Sequence, residues 1–176
     1  MKGIIVVNAG KCLGCKSCEM ACAVEHSASK ELAEAIRETP APRARVSVRG
    51  TGKLAAPLQC RQCENAPCVR ICPTHALHRS APDAPVAIRH EACIGCTLCV
   101  LACPFGVIGF DEGRRCIVKC DQCVERLARG EQPACVTACP TGSLRFQRVD
   151  EVLEEKRRAY LVQIENCVEA EREHGG

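Results

Sequence analysis

Sixteen cysteines fall into four groups of four. The third group shows the pattern most plainly: Cys93, Cys96, Cys99 and Cys103, with Pro104 behind the last. The first group is Cys12, Cys15, Cys18 and Cys22. The second is Cys60, Cys63, Cys68 and Cys72, then Pro73, and the fourth is Cys120, Cys123, Cys135 and Cys139, then Pro140. Three thiolates two residues apart can wrap one side of a [4Fe–4S] cube, and a fourth set apart before a proline is placed to ligate a neighbouring cube. Pro104 keeps that turn from continuing as a regular helix. Gly14 and Gly95, each just before a second cysteine, let the backbone approach the metal closely. Sixteen ligands make four [4Fe–4S] clusters.

Other uses of cysteine fit less well. A zinc ribbon takes two separated Cys-x-x-Cys pairs and has no place for a third cysteine two residues on. Disulfides belong to small secreted domains. The opening MKGIIVVNAGKC has too short an apolar run for a signal peptide, so a cytoplasmic, reducing location is expected. No apolar run approaches the roughly 20 residues that span a bilayer. A substrate-binding cluster would lack a cysteine at one iron, whereas every group here is complete.

Two cysteines remain. Cys116 is expected to be a buried thiol beside a cluster, and Cys167 to pack on the apolar stripe of a C-terminal helix with Val149, Leu153, Tyr160, Ile164 and Val168. His75 and His78 follow a complete group, and no open metal site needs them. Gly50-Thr-Gly-Lys53 has the wrong glycine spacing for a phosphate loop, and Leu54 stands where Ser or Thr is required. No G-x-G-x-x-G stretch appears, which argues against a dinucleotide site. The chain offers no paired acid and base, so it is expected to be non-catalytic.

With 18 cysteines, three Phe, one Tyr and no Trp in 176 residues, side chains alone fill a core poorly. The formal charge of +3 counts thiols as neutral; sixteen thiolates and four oxidised cores move it to about −5. No basic run with interleaved aromatics appears, so no nucleic-acid partner is expected.

Short elements must position these groups. Strands are expected at 3–8, 43–49, 85–89, 107–111 and 143–148, where Val and Ile runs are bounded by Gly, Pro and Asp. A short helix is expected near 29–38, opened by Ser29, and a long one over 150–173. Segments 80–85 and 129–134 read as loops. The cysteine groups are internal repeats of two kinds. The first and third are compact. The second and fourth are stretched, share Gln62 and Gln122, and continue alike as CPTHAL and CPTGSL.

The stretches CLGCKSCEMACAVEHS, PLQCRQCENAPCVRICPTHAL, CIGCTLCVLACPFGVI and KCDQCVERLARGEQPACVTACPTGSL resemble the four-cluster polyferredoxin subunits of redox complexes. Among these the likeness is greatest to the iron–sulfur subunits of carbon monoxide dehydrogenase and of tungsten aldehyde oxidoreductase, through ACAVEHS and the short loops. Formate dehydrogenase and dimethyl sulfoxide reductase subunits are similar too. Ala23 departs from the pattern, since the other three groups have Pro there.

The resemblance implies a small α+β fold: two bacterial 2[4Fe–4S] ferredoxin-like units related by pseudo-symmetry, plus a long C-terminal helix. The outer unit would be 1–55 with 109–149, the nested inner unit 56–108, and 150–176 a helix for docking or oligomerisation. It implies nested ligation. Cys60, Cys63 and Cys68 would share a cluster with Cys103, and Cys93, Cys96 and Cys99 with Cys72. Cys12, Cys15 and Cys18 would join Cys139, and Cys120, Cys123 and Cys135 would join Cys22. Spacing alone leaves a sequential pairing open. The implied function is relay of single electrons between a catalytic oxidoreductase subunit and a second redox partner, such as a flavin subunit or hydrogenase. Self-association through 150–173 is a further expectation. The alternatives are a free-standing polyferredoxin, or the small subunit of a hydrogenase or formate dehydrogenase.

Overall fold

The computed structural model describes residues 3–174, with side chains through 170. The last two residues of the expected 150–176 segment lie outside the described residues. Eight short strands form four two-stranded antiparallel ribbons, and helical turns carry the cysteines.

β1 (Gly3–Val7) pairs with β8 (Leu144–Arg148), so the two ends of the cysteine-bearing region meet. Gly3 suits that position, because a Cβ there would meet the Phe146 ring. β2 (Ser47–Gly50) pairs with β3 (Ala55–Leu58). β4 (Leu77–His78) pairs with β5 (Ala87–Ile88), and β6 (Gly109–Asp111) with β7 (Cys116–Val118). The expected strand at 43–49 shortens to Ser47–Gly50, and that at 107–111 to Gly109–Asp111. The expected helix at 29–38 is only α2, Leu32–Ala35. Ser29 does not open it: its backbone N–H and hydroxyl both donate to Glu38, at 2.9 and 2.7 Å, closing a loop instead.

The repeats recur in the backbone. α1 (Ser17–Glu25) follows a 3-10 turn, Ala9–Lys11, and then Cys12 and Cys15; α4 (Leu98–Ala102) follows a 3-10 turn, His90–Ala92, and then Cys93 and Cys96. Lys16 and Thr97, the residues before these helices, adopt φ of 61° and 60°. Gly14 and Gly95 adopt 70° and 68°, and at Gly95 a Cβ would also meet Arg115 O at 2.7 Å. The stretched groups repeat as well. α3 (Pro67–Arg70) carries Cys68 and α6 (Ala134–Thr137) carries Cys135, while α5 (Val124–Ala128) lies in the longer spacer of the fourth group. Gln62 and Gln122 both take positive φ, 52° and 65°.

Two separate cores match this duplication. Ile5, Val46, Val48 and Leu144 pack with Cys18, Cys22, Cys120 and Cys135. Leu77, Val86, Ile108 and Ile117 pack with Cys68 and Cys99. The β6–β7 ribbon contributes Phe110 and Ile117 to the second core.

α7 (Val149–His174) leaves β8 directly and spans about 39 Å at 1.5 Å per residue. Only its start touches the body: Arg145 and Gln147 contact Glu155, and Glu151 accepts from the Arg148 N–H at 3.0 Å. Leu153, Tyr160, Ile164 and Val168 are exposed, and so is Cys167. The expectation that Cys167 packs is therefore corrected: the helix projects, and no other described element covers its stripe. No described helix is long and apolar enough to cross a membrane.

Candidate metal centres

The compact groups open onto two matched cavities. One is lined by Cys12, Cys15, Cys18 and Cys139 with Val48, Pro57 and Leu144. The other is lined by Cys72, Cys93, Cys96 and Cys99 with Leu77 and Ile117. Each therefore joins three cysteines of one group to the last cysteine of another. The helices explain how. Cys18 and Cys22 lie one turn apart on α1, about 6 Å along its axis. Cys18 lines the first cavity, while Cys22 lies among the fourth group.

The remaining cysteines fall together likewise. Cys68 is pushed up by burial and by the neighbouring Cys60 and Cys103 thiols. Cys135 is pushed up by burial and then by Cys120, Cys22 and Cys123. Burial raises Cys120 to about 12, and Cys18, Cys99 and Cys123 to about 11. Such thiols stay protonated until a metal displaces the proton, so loading these positions releases protons. The surface cysteines behave otherwise. Cys15 is lowered by Ser17, whose hydroxyl lies 3.4 Å from its sulfur. Cys72 and Cys139 are lowered against burial by the Leu77 and Leu144 N–H groups and by Thr74 and Thr141, each hydroxyl 3.7 Å from the sulfur.

Backbone N–H groups also point at sulfur: Gln62 to Cys60 at 3.5 Å, Gln122 to Cys120 at 3.4 Å and Arg45 to Cys22 at 3.2 Å. The positive φ of Gln62 and Gln122 turns those amides inward. Donors of this kind tune the potential of a bound cluster.

Residues that the spacing of cysteines does not reveal surround the fourth group. His26 donates from Nδ1 to the Cys22 carbonyl at 2.7 Å, and its Nε2 lies 3.2 Å from Asp121. Burial alone would lower His26, but hydrogen bonds to Asp121 and Cys22 outweigh it and raise it to about 9. Asp121 also receives Arg45 at 2.5 Å and the Cys123 N–H at 3.0 Å. Burial would raise its carboxyl, yet His26 and Arg45 hold it well below the usual carboxylate range. Lys119, Gln59 and Gln62 are buried, and Lys119 and Gln62 each bond to both Val86 and Cys120, across the two cores. The ACAVEHS stretch contained the signal for His26, one helical turn after Cys22.

Cys116 is buried on β7 opposite Asp111, outside all four groups. His78 Nδ1 lies 3.3 Å from the Ala76 carbonyl, and His75 takes the left-handed turn position that Gly142 takes in the other repeat. Thiol-lined apolar cavities, four-cysteine sets and N–H groups aimed at sulfur fit four [4Fe–4S] clusters.

Residues 52–149 match the 4Fe-4S dicluster domain, and residues 9–25 match a 4Fe-4S binding domain. The chain is 44% identical to an iron–sulfur protein of Rhodospirillum rubrum, over 84% of this chain and 83% of that one. It is 36% identical to the electron transport protein HydN of Escherichia coli, over 90% of this chain and 97% of the relative. It is 39% identical to the thiosulfate reductase electron transfer subunit PhsB of Salmonella typhi, over 80% and 73%. With its duplicated ferredoxin-like cores, thiol-lined cavities and these relatives, the chain belongs to the family of ferredoxin-type [4Fe–4S] electron-transfer proteins.

Proposed function

We propose that this chain is the electron-transfer subunit of an oxidoreductase complex, relaying single electrons along four clusters held in nested fashion. Each bound cluster accepts and returns one electron without chemistry on a substrate. The ligand sets are Cys12, Cys15, Cys18 and Cys139; Cys120, Cys123, Cys135 and Cys22; Cys60, Cys63, Cys68 and Cys103; and Cys93, Cys96, Cys99 and Cys72. The observation that carries this reading is the pair of cavities in which Cys139 joins the first group and Cys72 the third. Within each unit the two sets lie near each other: the Cys18 thiol raises Cys135, and the Cys68 thiol raises Cys99. Cys15 and Cys96 are exposed members of these sets and the proposed points of electron exchange with partners.

The protein's residues hold the metal, exclude water with Leu77, Ile117, Val48 and Leu144, and set potentials through N–H groups. The catalytic partner is of the tungsten aldehyde oxidoreductase or carbon monoxide dehydrogenase type. The ACAVEHS stretch and short loops support that reading. A reductase partner is the second reading, favoured by the likeness to a thiosulfate reductase subunit. Thiolate ligation suits a reducing, cytoplasmic setting, and α7 is the assembly element.

Anaerobic iron and sulfide analysis tests the cofactor content, with about 16 of each expected per chain; stoichiometric zinc would overturn it. Purification of the native complex, with identification of the large redox subunit, decides between the partners.

A further inference from the structure

Lys119 precedes Cys120 and is only 2% exposed. Its ammonium donates to the Val86 carbonyl and, at 2.7 Å, to the Cys120 carbonyl. Among the described residues no carboxylate pairs with it, and its third N–H has no protein acceptor. A buried cation without a counter-charge is costly, so the negative charge that balances Lys119 must come from what the cysteines hold. Val86 belongs to the inner core, and Cys120 to the outer one. Cys68 packs in that inner core with Val86, so the ammonium stands near cysteines of two different ligand sets.

The repeat supplies a comparison. Gln59 stands before Cys60 as Lys119 stands before Cys120. It is 3% exposed, and neither end of its amide has a hydrogen-bond partner in the structure. Cys60 in turn leans on the outer core. Cys60 thus stands at the junction between units, and the buried residue before it is neutral where Lys119 is charged.

We propose that Lys119 is the counter-charge of the electron step between the units: it favours the reduced form of the two clusters assigned to Cys68 and Cys120. This rests on the ligand sets proposed above. Reduction adds one negative charge to a cluster, and a fixed positive charge in a poorly polarisable interior stabilises that extra charge over several ångströms. The middle of the relay is therefore easier to reduce than its ends would make it, and an electron crossing between units meets a well rather than a barrier.

The test is an EPR-monitored potentiometric titration of the purified holoprotein, with dithionite as reductant, on the native chain, Lys119→Gln and Gln59→Lys. Iron and sulfide are counted first. Fewer than four clusters in the native chain would overturn the ligand reading, and this inference with it. With four clusters present, Lys119→Gln should lower two of the four midpoints. The expected change is about tenfold in the reduction equilibrium, or 59 mV for one electron. The other two should stay within about twofold. Gln59→Lys should raise midpoints at the same junction, and it decides alone if Lys119→Gln does not assemble. A purely structural lysine would leave the midpoints in place, since Gln can still donate to the carbonyls. Unshifted midpoints with four clusters intact, or shifts of the same sign in both variants, would overturn the proposal.

Discussion

Gln62 and Cys120 join the two units: the Gln62 side-chain amide donates to the Cys120 carbonyl at 3.0 Å, and its oxygen accepts from the Val86 N–H at 2.8 Å. Gln62 is 1% exposed, so these groups have no water to fall back on. Gln62→Leu should orphan the buried Val86 N–H, at about 1–3 kcal/mol, and leave the Cys120 carbonyl to Lys119 alone. The expected result is earlier bleaching of the cluster absorbance on anaerobic heating. An unchanged bleaching temperature would show that the junction does not depend on this bond.

Cross-ligation predicts where damage appears. Cys103→Ala should alter the cluster of Cys60, Cys63 and Cys68 and leave the cluster of Cys93, Cys96 and Cys99 with its four ligands. EPR of the reduced variant, with a structure to identify the altered centre, reads this. Damage confined to the Cys93–Cys99 cluster would support sequential ligation instead. Cys116→Ala should retain four clusters, since Cys116 lines neither thiol cavity.

Asp121 balances two cations, with His26 at 3.2 Å and Arg45 at 2.5 Å. Asp121→Ala should leave both without a counter-ion beside Cys22. A loss of about 1–3 kcal/mol is expected, and the cluster assigned to Cys22 should be the first lost on heating. Lability that begins at the Cys93 cavity would contradict this placement.

Truncation after Asp150 removes almost all of α7. Iron content should remain at four clusters, because no described residue of that helix reaches a cysteine set. The pair it loses to β8, Glu155 with Arg145, is exposed and weak. Size-exclusion chromatography should show weaker association with the partner or with a second copy. Loss of iron would make the helix structural, and undiminished association would remove its docking role.

Much of the centre was legible in the cysteine spacing, because a cube of iron and sulfur dictates how close its ligands stand. The two kinds of repeat recur in the structure as matched turns at Lys16 and Thr97 and at Gln62 and Gln122. What spacing left open was which fourth cysteine joins which three, since a loop of sixteen to twenty residues reaches either choice. The pairing of β1 with β8 brings Cys139 to the first group, and that contact is long-range. The helix expected at 29–38 shortens to Leu32–Ala35 because the Glu38 carboxylate claims the Ser29 hydroxyl. Cys167 misled for another reason: an apolar stripe on a helix says that a face can be covered, not that the same chain covers it. Lys119 and Asp121 were invisible because charged residues beside cysteines read as surface until burial is known.

The pairing of Gly3 with Arg148 also bears on how the protein is made. On a ribosome adding roughly 5–20 residues per second, Cys12, Cys15 and Cys18 wait on the order of ten seconds before Cys139 is synthesised. The second and third groups are complete far sooner, and both lie between those ends. The inner pair of clusters can thus be assembled while the outer unit is still a set of loose thiols, exposed to oxygen and to stray copper or zinc. The newborn chain is most vulnerable at its beginning. That places a premium on a chaperone or iron–sulfur carrier that meets the N-terminal cysteines before the last strand arrives.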